Sequence, residues 1–104
     1  MKTTVVNLNR DEYDVRIDRQ SPWGNPFSHL SRSKARWQVG SRDESIRKFE
    51  EWFLYSSDVQ AQWMREHVHL LRGLRIACHC RPKSCHGDVL ARYADNDPEQ
   101  LELI

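Results

Sequence analysis

The stretch from Leu74 to Leu90, Leu-Arg-Ile-Ala-Cys-His-Cys-Arg-Pro-Lys-Ser-Cys-His-Gly-Asp-Val-Leu, changes its hydrophobic period part-way, and that change restricts the folds open to the chain. Leu74, Ile76, Cys78 and Cys80 alternate with Arg75, Ala77 and His79, the period of a strand with one face in a core. Pro82 is expected to end the strand. Ser84 is then placed to cap a helix that opens with Cys85, His86, Gly87 and Asp88 and buries Val89, Leu90 and Tyr93. A strand, a short basic loop and a helix N-terminus in succession form an anion-collecting arrangement, because the first backbone N–H groups and the helix dipole point at one spot.

The chain before this stretch supplies the partners. Thr3 to Leu8 is β-rich and predicts a short buried strand, and Tyr13-Asp14-Val15-Arg16-Ile17 predicts a second with one wet face. Residues 28–40 predict a mobile basic loop with a short strand at Trp37 to Val39. Ser41-Arg42-Asp43-Glu44 fits a capping box, followed by an apolar stripe at Ile46, Phe49, Trp52 and Phe53. Ser57-Asp58-Val59-Gln60 offers another. Val59, Trp63, His67, Leu70 and Leu71 are expected to face inward up to Gly73, a left-handed cap, with His67 and His69 as structural residues. Two helices between an early and a late strand imply a crossover, and hence parallel pairing. After the last helix, Asp95 to Pro98 predicts a turn and Leu101 to Ile104 a tail or an edge strand.

A chain of 104 residues supports one modest core. With 30% charged residues and a mean hydropathy of −0.80, it has neither a membrane-length apolar run nor a signal-peptide core. A cytoplasmic location with reduced cysteines is therefore expected, and an odd, tightly clustered set of 3 argues against a disulfide framework. Net charge is only +1, yet Arg16, Arg19, Arg32, Lys34, Arg36 and Arg42 face Asp18 alone in residues 15–42, while the tail is acidic. A local basic patch on a weakly charged chain fits a phosphate-bearing small ligand or a short nucleic-acid contact better than broad nucleic-acid coating.

Ser21-Pro22-Trp23-Gly24-Asn25-Pro26-Phe27 is dense in proline and aromatics and predicts a stiff, ordered loop. Trp23 reads either as a core plug or as a stacking surface for a planar ligand. Asn25, held extended by the following proline, is positioned to aim its amide at a ligand. Arg19 and Ser21, at the loop entrance, join them as candidate ligand contacts.

Four readings of residues 78–88 stay open. Cys78, Cys80, Cys85 and a histidine are zinc-type ligands, although the spacing is not a usual two-knuckle pattern and adjacent Cys85 and His86 do not readily face one ion. Cys85, at a helix start beside Arg81 and Lys83, suits a nucleophile with His86 as acid or base. A cysteine-phosphatase loop is disfavoured, because the position six residues after Cys80 is His86 and not arginine. In the third reading the cysteines only pack. The amides of Cys85 to Asp88, with Arg81 or Lys83, hold a phosphate, Gly87 admits the ligand, and Asp88 takes a hydroxyl or, with His86, moves a proton. In the last, reduced cysteines fill a core beside a well-capped helix.

Ser-Pro-Trp-Gly-Asn-Pro-Phe followed by Cys-His-Cys-Arg-Pro-Lys-Ser-Cys-His-Gly-Asp-Val-Leu resembles a small phage and bacterial family known as a domain of unknown function, with the pattern WGNPF…CxCxPxxCHGD. The likeness covers residues 5 to 94. It implies a shared site at Trp23, Asn25, Cys80, Cys85, His86 and Asp88. It also implies a phage setting, consistent with interference with host nucleotide metabolism or signalling in the host cytoplasm.

The expectation is a single α/β domain over residues 1–104, with a small mainly parallel sheet and about three helices, Rossmann-like in a three-layer or two-layer form. Its pocket lies where the 21–27 loop meets the 80–88 loop. The partner is a phosphorylated or nucleotide-like small molecule, with hydrolysis or glycosyl transfer as the chemistry to follow; no membrane, metal or cofactor is assigned, and nucleic acid ranks below the small molecule. A zinc-stabilised adaptor that binds protein or nucleic acid is the alternative.

Overall fold

A computed structural model describes residues 2–30 and 35–96. Arg32, Lys34, most of the acidic tail and the tail or strand expected at Leu101 to Ile104 lie outside them. Three parallel strands form the main sheet: β1 (Thr4–Asn7), β2 (Val15–Arg16) and β5 (Arg75–Cys78), in the order β1-β5-β2. The strand inside the Cys-rich stretch is thus the centre of the sheet, and β1, expected to be buried, is an edge. Val5, Ile76 and Val15 are in register, and the inner layer continues through Asn7 and Cys78. The opposite face carries the exposed Thr4, Arg75 and His79, as alternation requires.

Between β2 and β5 run β3 (Phe27–Ser28), β4 (Trp37–Gln38), α1 (Arg42–Tyr55), α2 (Val59–His67) and a 3-10 turn over Val68–Leu71. Within the expected basic loop, β3 and β4 pair parallel, with Phe27 stacked on Trp37. Ser41 caps α1 as its sequence predicts, and Phe49, Trp52 and Phe53 are buried. The inward face of α2 differs from expectation. Leu71 is buried as expected, but Ala61, Met64 and Val68 are buried with it, whereas Val59 and Leu70 are 82% and 59% exposed. Both sets have helical spacing, and the buried one fills the core with α1 while Trp63 turns to meet Trp23 at 4.8 Å. His67 is structural, its Nδ1 2.7 Å from the Trp63 carbonyl. Gly73 has φ 78°, the left-handed value its position calls for.

The last helix, α3, spans His86–Asp95. It therefore continues through Asp95, where a turn was expected. Its cap is Cys85 and not Ser84. Cys85 Sγ accepts from the Gly87 N–H at 3.3 Å, and the Asp88 carboxylate accepts from the Cys85 N–H at 3.1 Å, a capping box with sulfur in the usual oxygen position. The strand also stops two residues before Cys80, and the Arg81–Pro82 peptide is cis. Thr3 ties the other end of α3 to the sheet, its N–H and Oγ1 both donating to Asp95.

Two contacts lock α3 onto the sheet. His86 is buried, and its Nε2 lies 2.8 Å from the Ile17 carbonyl and 3.0 Å from the Trp23 carbonyl. Both neighbours are acceptors, so Nε2 carries the proton and the ring is neutral; burial holds its pKa below the ordinary histidine value. Gly87 lies against the inner face, where an added Cβ would come 2.8 Å from Ile17 Cδ1 and 3.0 Å from Val5 Cγ1. Gly87→Ala should therefore cost about 1–3 kcal/mol through overpacking, read as a lowered urea midpoint with an unchanged slope. The His86 contribution is complete above the unfolded histidine pKa of about 6.5 and is lost as pH falls below it, because the unfolded chain then takes up the proton first. Melting temperature should fall between about pH 7.5 and about pH 5.5, and His86→Gln should flatten that slope while lowering stability throughout.

Candidate functional site

A cavity of about 420 Å³ opens where the two loops meet the start of α1. Arg19, Asn25, Cys80, Cys85 and His86 line it, as the meeting of the 21–27 and 80–88 loops requires. Phe27, Leu30 and Ile46 provide apolar wall, and Ser28, His29, Arg42 and Ser45 provide polar wall. Arg42, at the start of α1, is the main contributor that sequence reasoning missed. No local motif marks it, and only the crossover brings it beside residues 80–85, where its Nη1 donates to the Ser84 carbonyl at 3.3 Å.

Several expected contacts are committed elsewhere. Trp23 is 6% exposed and packs on Trp63, so it is the plug and not the stacking surface. Ser21 Oγ donates to the Asp18 carbonyl and accepts from the Trp23 N–H, which shapes the turn. Asn25 reaches the cavity wall, but its Nδ2 donates to Ser45 Oγ and its Oδ1 accepts from the Phe27 N–H, both at 2.9 Å. Arg19 Nε and Nη2 donate to the Asn25 and Phe27 carbonyls, which fixes the guanidinium at the rim. Arg81 turns to the other side of the loop, where it donates to the Val5 carbonyl and pairs with Asp88 at 2.5 Å. Lys83 is exposed away from the cavity.

The anion turn at α3 is likewise used internally. The Gly87 N–H goes to Cys85 Sγ, the Asp88 N–H to the Cys85 carbonyl, and Gly87 packs on Val5 and Ile17 instead of leaving room for a ligand. Asp88 serves as the cap partner and the Arg81 counter-ion. His86, fixed to two carbonyls, has its imidazole Nε2 directed into the core and not toward a reacting atom.

The cysteines, by contrast, converge. The Sγ atoms of Cys78, Cys80 and Cys85 all lie within 4.8 Å of one another, and Cys78 and Cys85 are 3.0 Å apart with no disulfide between them. Cys78 ends the central strand, Cys80 follows in the loop, and Cys85 caps α3, so a strand end and a helix start deliver the thiols to one point. Hydrogen bonds from Cys78 and Cys85, with Arg42 beside it, hold the half-buried Cys80 thiol far below the ordinary cysteine range. The same hydrogen bonds and burial push Cys85 and Cys78 up. The guanidinium of Arg42 thus lies next to the Cys80 thiol. His79 is turned away from the thiols, its Nε2 3.2 Å from Asp18, whose carboxyl is held below the usual range chiefly by Arg16.

No helix among the described residues is long and apolar enough to cross a membrane. No solved structure matches the chain. A curated relative from Enterobacteria phage T4, the "Uncharacterized 12.4 kDa protein in nrdA-td intergenic region", is 34% identical over 91 residues, covering 88% of this chain and 76% of the relative. Residues 3–96, which include every described strand and helix and the whole cavity, match the domain of unknown function DUF4326, and the chain belongs to that family.

Proposed function

We propose that the cavity binds a phosphorylated, nucleotide-like small molecule. The observation that carries this reading is the pairing of an apolar cavity with guanidinium groups at its wall. Phe27, Leu30 and Ile46 offer a surface for a planar group, and Arg19 and Arg42 supply charge for an anionic one. Its volume of about 420 Å³ lies in the range of small-molecule sites. Arginine suits phosphate because its planar donors match two oxygens at once. The phosphate is carried by these side chains, and the start of α3, expected to hold it, is closed by its own cap.

A bond-breaking step, whether hydrolysis or glycosyl transfer, would not draw on His86 or Asp88. His86 is held by two carbonyls, and Asp88 by the cap of α3 and by Arg81. The test is a thermal shift against nucleoside monophosphates and diphosphates, nucleotide sugars and inorganic phosphate. A ligand at a hundred times its dissociation constant adds about 2.7 kcal/mol, several degrees for a domain of this size. One chemical class should raise the melting temperature, and Arg42→Ala should remove most of that rise while leaving the ligand-free protein folded. No shift with any member, together with tight binding of a DNA duplex, would replace this reading with that of an adaptor.

A further inference from the structure

We propose that Cys78, Cys80 and Cys85 form a three-thiolate site for one zinc ion, with its fourth coordination position open to the cavity. Zinc is four-coordinate with sulfur at about 2.3 Å, which sets tetrahedral sulfurs about 3.8 Å apart. The three Sγ atoms lie within 4.8 Å of one another, close enough to close around such an ion with side-chain adjustments alone. Three sulfur donors select a soft cation over magnesium or calcium, which take oxygen.

The surroundings match a metal thiolate as well as the sulfurs do. Thiolate ligands are usually held by outer N–H donors that orient them and offset their charge. Cys85 Sγ already accepts from the Gly87 N–H at 3.3 Å, at the positive end of α3. Arg42 lies against Cys80 and donates to the Ser84 carbonyl of the same loop. A zinc ion with three thiolates bears one net negative charge, and this guanidinium balances it. Each thiol comes from a separately anchored position: a central strand, a loop and a helix cap.

All three cysteines line the cavity wall, so the side of the ion away from the protein faces the cavity. Neither neighbouring histidine competes for it. His86 Nε2 is held by the Ile17 and Trp23 carbonyls, and His79 Nε2 faces Asp18. Three protein ligands and an open position are the pattern of zinc sites that engage a ligand or water, whereas purely structural sites are closed by a fourth side chain. The ion site stands on the thiols alone; its part in ligand capture rests on the cavity being the ligand site.

The test uses the full chain, stripped of metal with a chelator under a phosphine reductant and titrated with Co²⁺ as a spectroscopic stand-in for zinc. The expected result is one Co²⁺ per chain, with sulfur-to-cobalt charge-transfer bands and the intense visible bands of a tetrahedral site, all displaced by Zn²⁺. Cys80→Ser should weaken Co²⁺ binding by more than about tenfold, since loss even of an outer-shell partner costs about 10–100-fold. Azide should shift the visible bands if the fourth position is open. Folded wild-type protein without charge-transfer bands, or with a cobalt affinity that Cys80→Ser leaves unaltered, overturns the site. A spectrum insensitive to azide overturns the open position. Should Cys80→Ser not fold, alkylation of the wild type decides: Zn²⁺ should slow modification of all three thiols together, and equal rates with and without it reject the proposal. None of these readouts involves a nucleotide, so failure of the ligand reading and failure of the ion site remain distinguishable.

Discussion

One buried N–H group, His86 Nε2, joins three separate parts of this domain at a single point. It donates to the carbonyl at the end of β2 and to that of Trp23 in the stiff loop, from the first residue of α3. Sheet edge, loop and helix start are thereby fixed at one point. The Asn25–Ser45 bond then carries the same loop onto α1, and the cavity is the space these four segments leave between them. A neutral imidazole suits this task because it offers one directed donor without the cost of burying a charge.

Much of the architecture was legible because it depends on period and punctuation. Alternation through Leu74 to Cys78 located the central strand, the Ser41 box located α1, the 57–60 box located α2 although Asp58 and not Ser57 caps it, and two helices between strands required parallel pairing. The face of α2 was not legible. Val59-Trp63-Leu70 and Ala61-Met64-Val68 are both helical stripes, and only the partner surface decides which one is buried. The cap of α3 was misread for a related reason. Serine outranks cysteine as an isolated cap, but the position that receives the Asp88 carboxylate in return is Cys85.

For the site, sequence reasoning succeeded in bringing the 21–27 and 80–88 loops together and failed in assigning their side chains. Polar residues in such loops were read as facing a ligand, yet Ser21, Arg81 and Asp88 satisfy one another or the backbone. Buried loops must answer every N–H and C=O, and short polar side chains are the cheapest means of doing so. Arg42 was missed because its nearness to Cys80 is a product of the crossover. The convergence of Cys78, Cys80 and Cys85 was not legible because their spacing is not a usual two-knuckle pattern, whereas a strand end and a helix cap bring sulfurs together without one.

The sulfur that caps α3 is also part of the cavity wall, and this gives the first turn of the helix two masters. A hydroxyl cap would stay chemically inert, but a thiol can be alkylated, oxidised or metallated. Each such event alters the acceptor that holds the Gly87 N–H and, through Asp88, the Arg81 ion pair on the far side of the loop. Chemistry in the cavity is thus registered as a change in the fraying of one helix end. The amide protons of the first turn of α3 become a built-in gauge of what occupies the cavity, readable by hydrogen exchange.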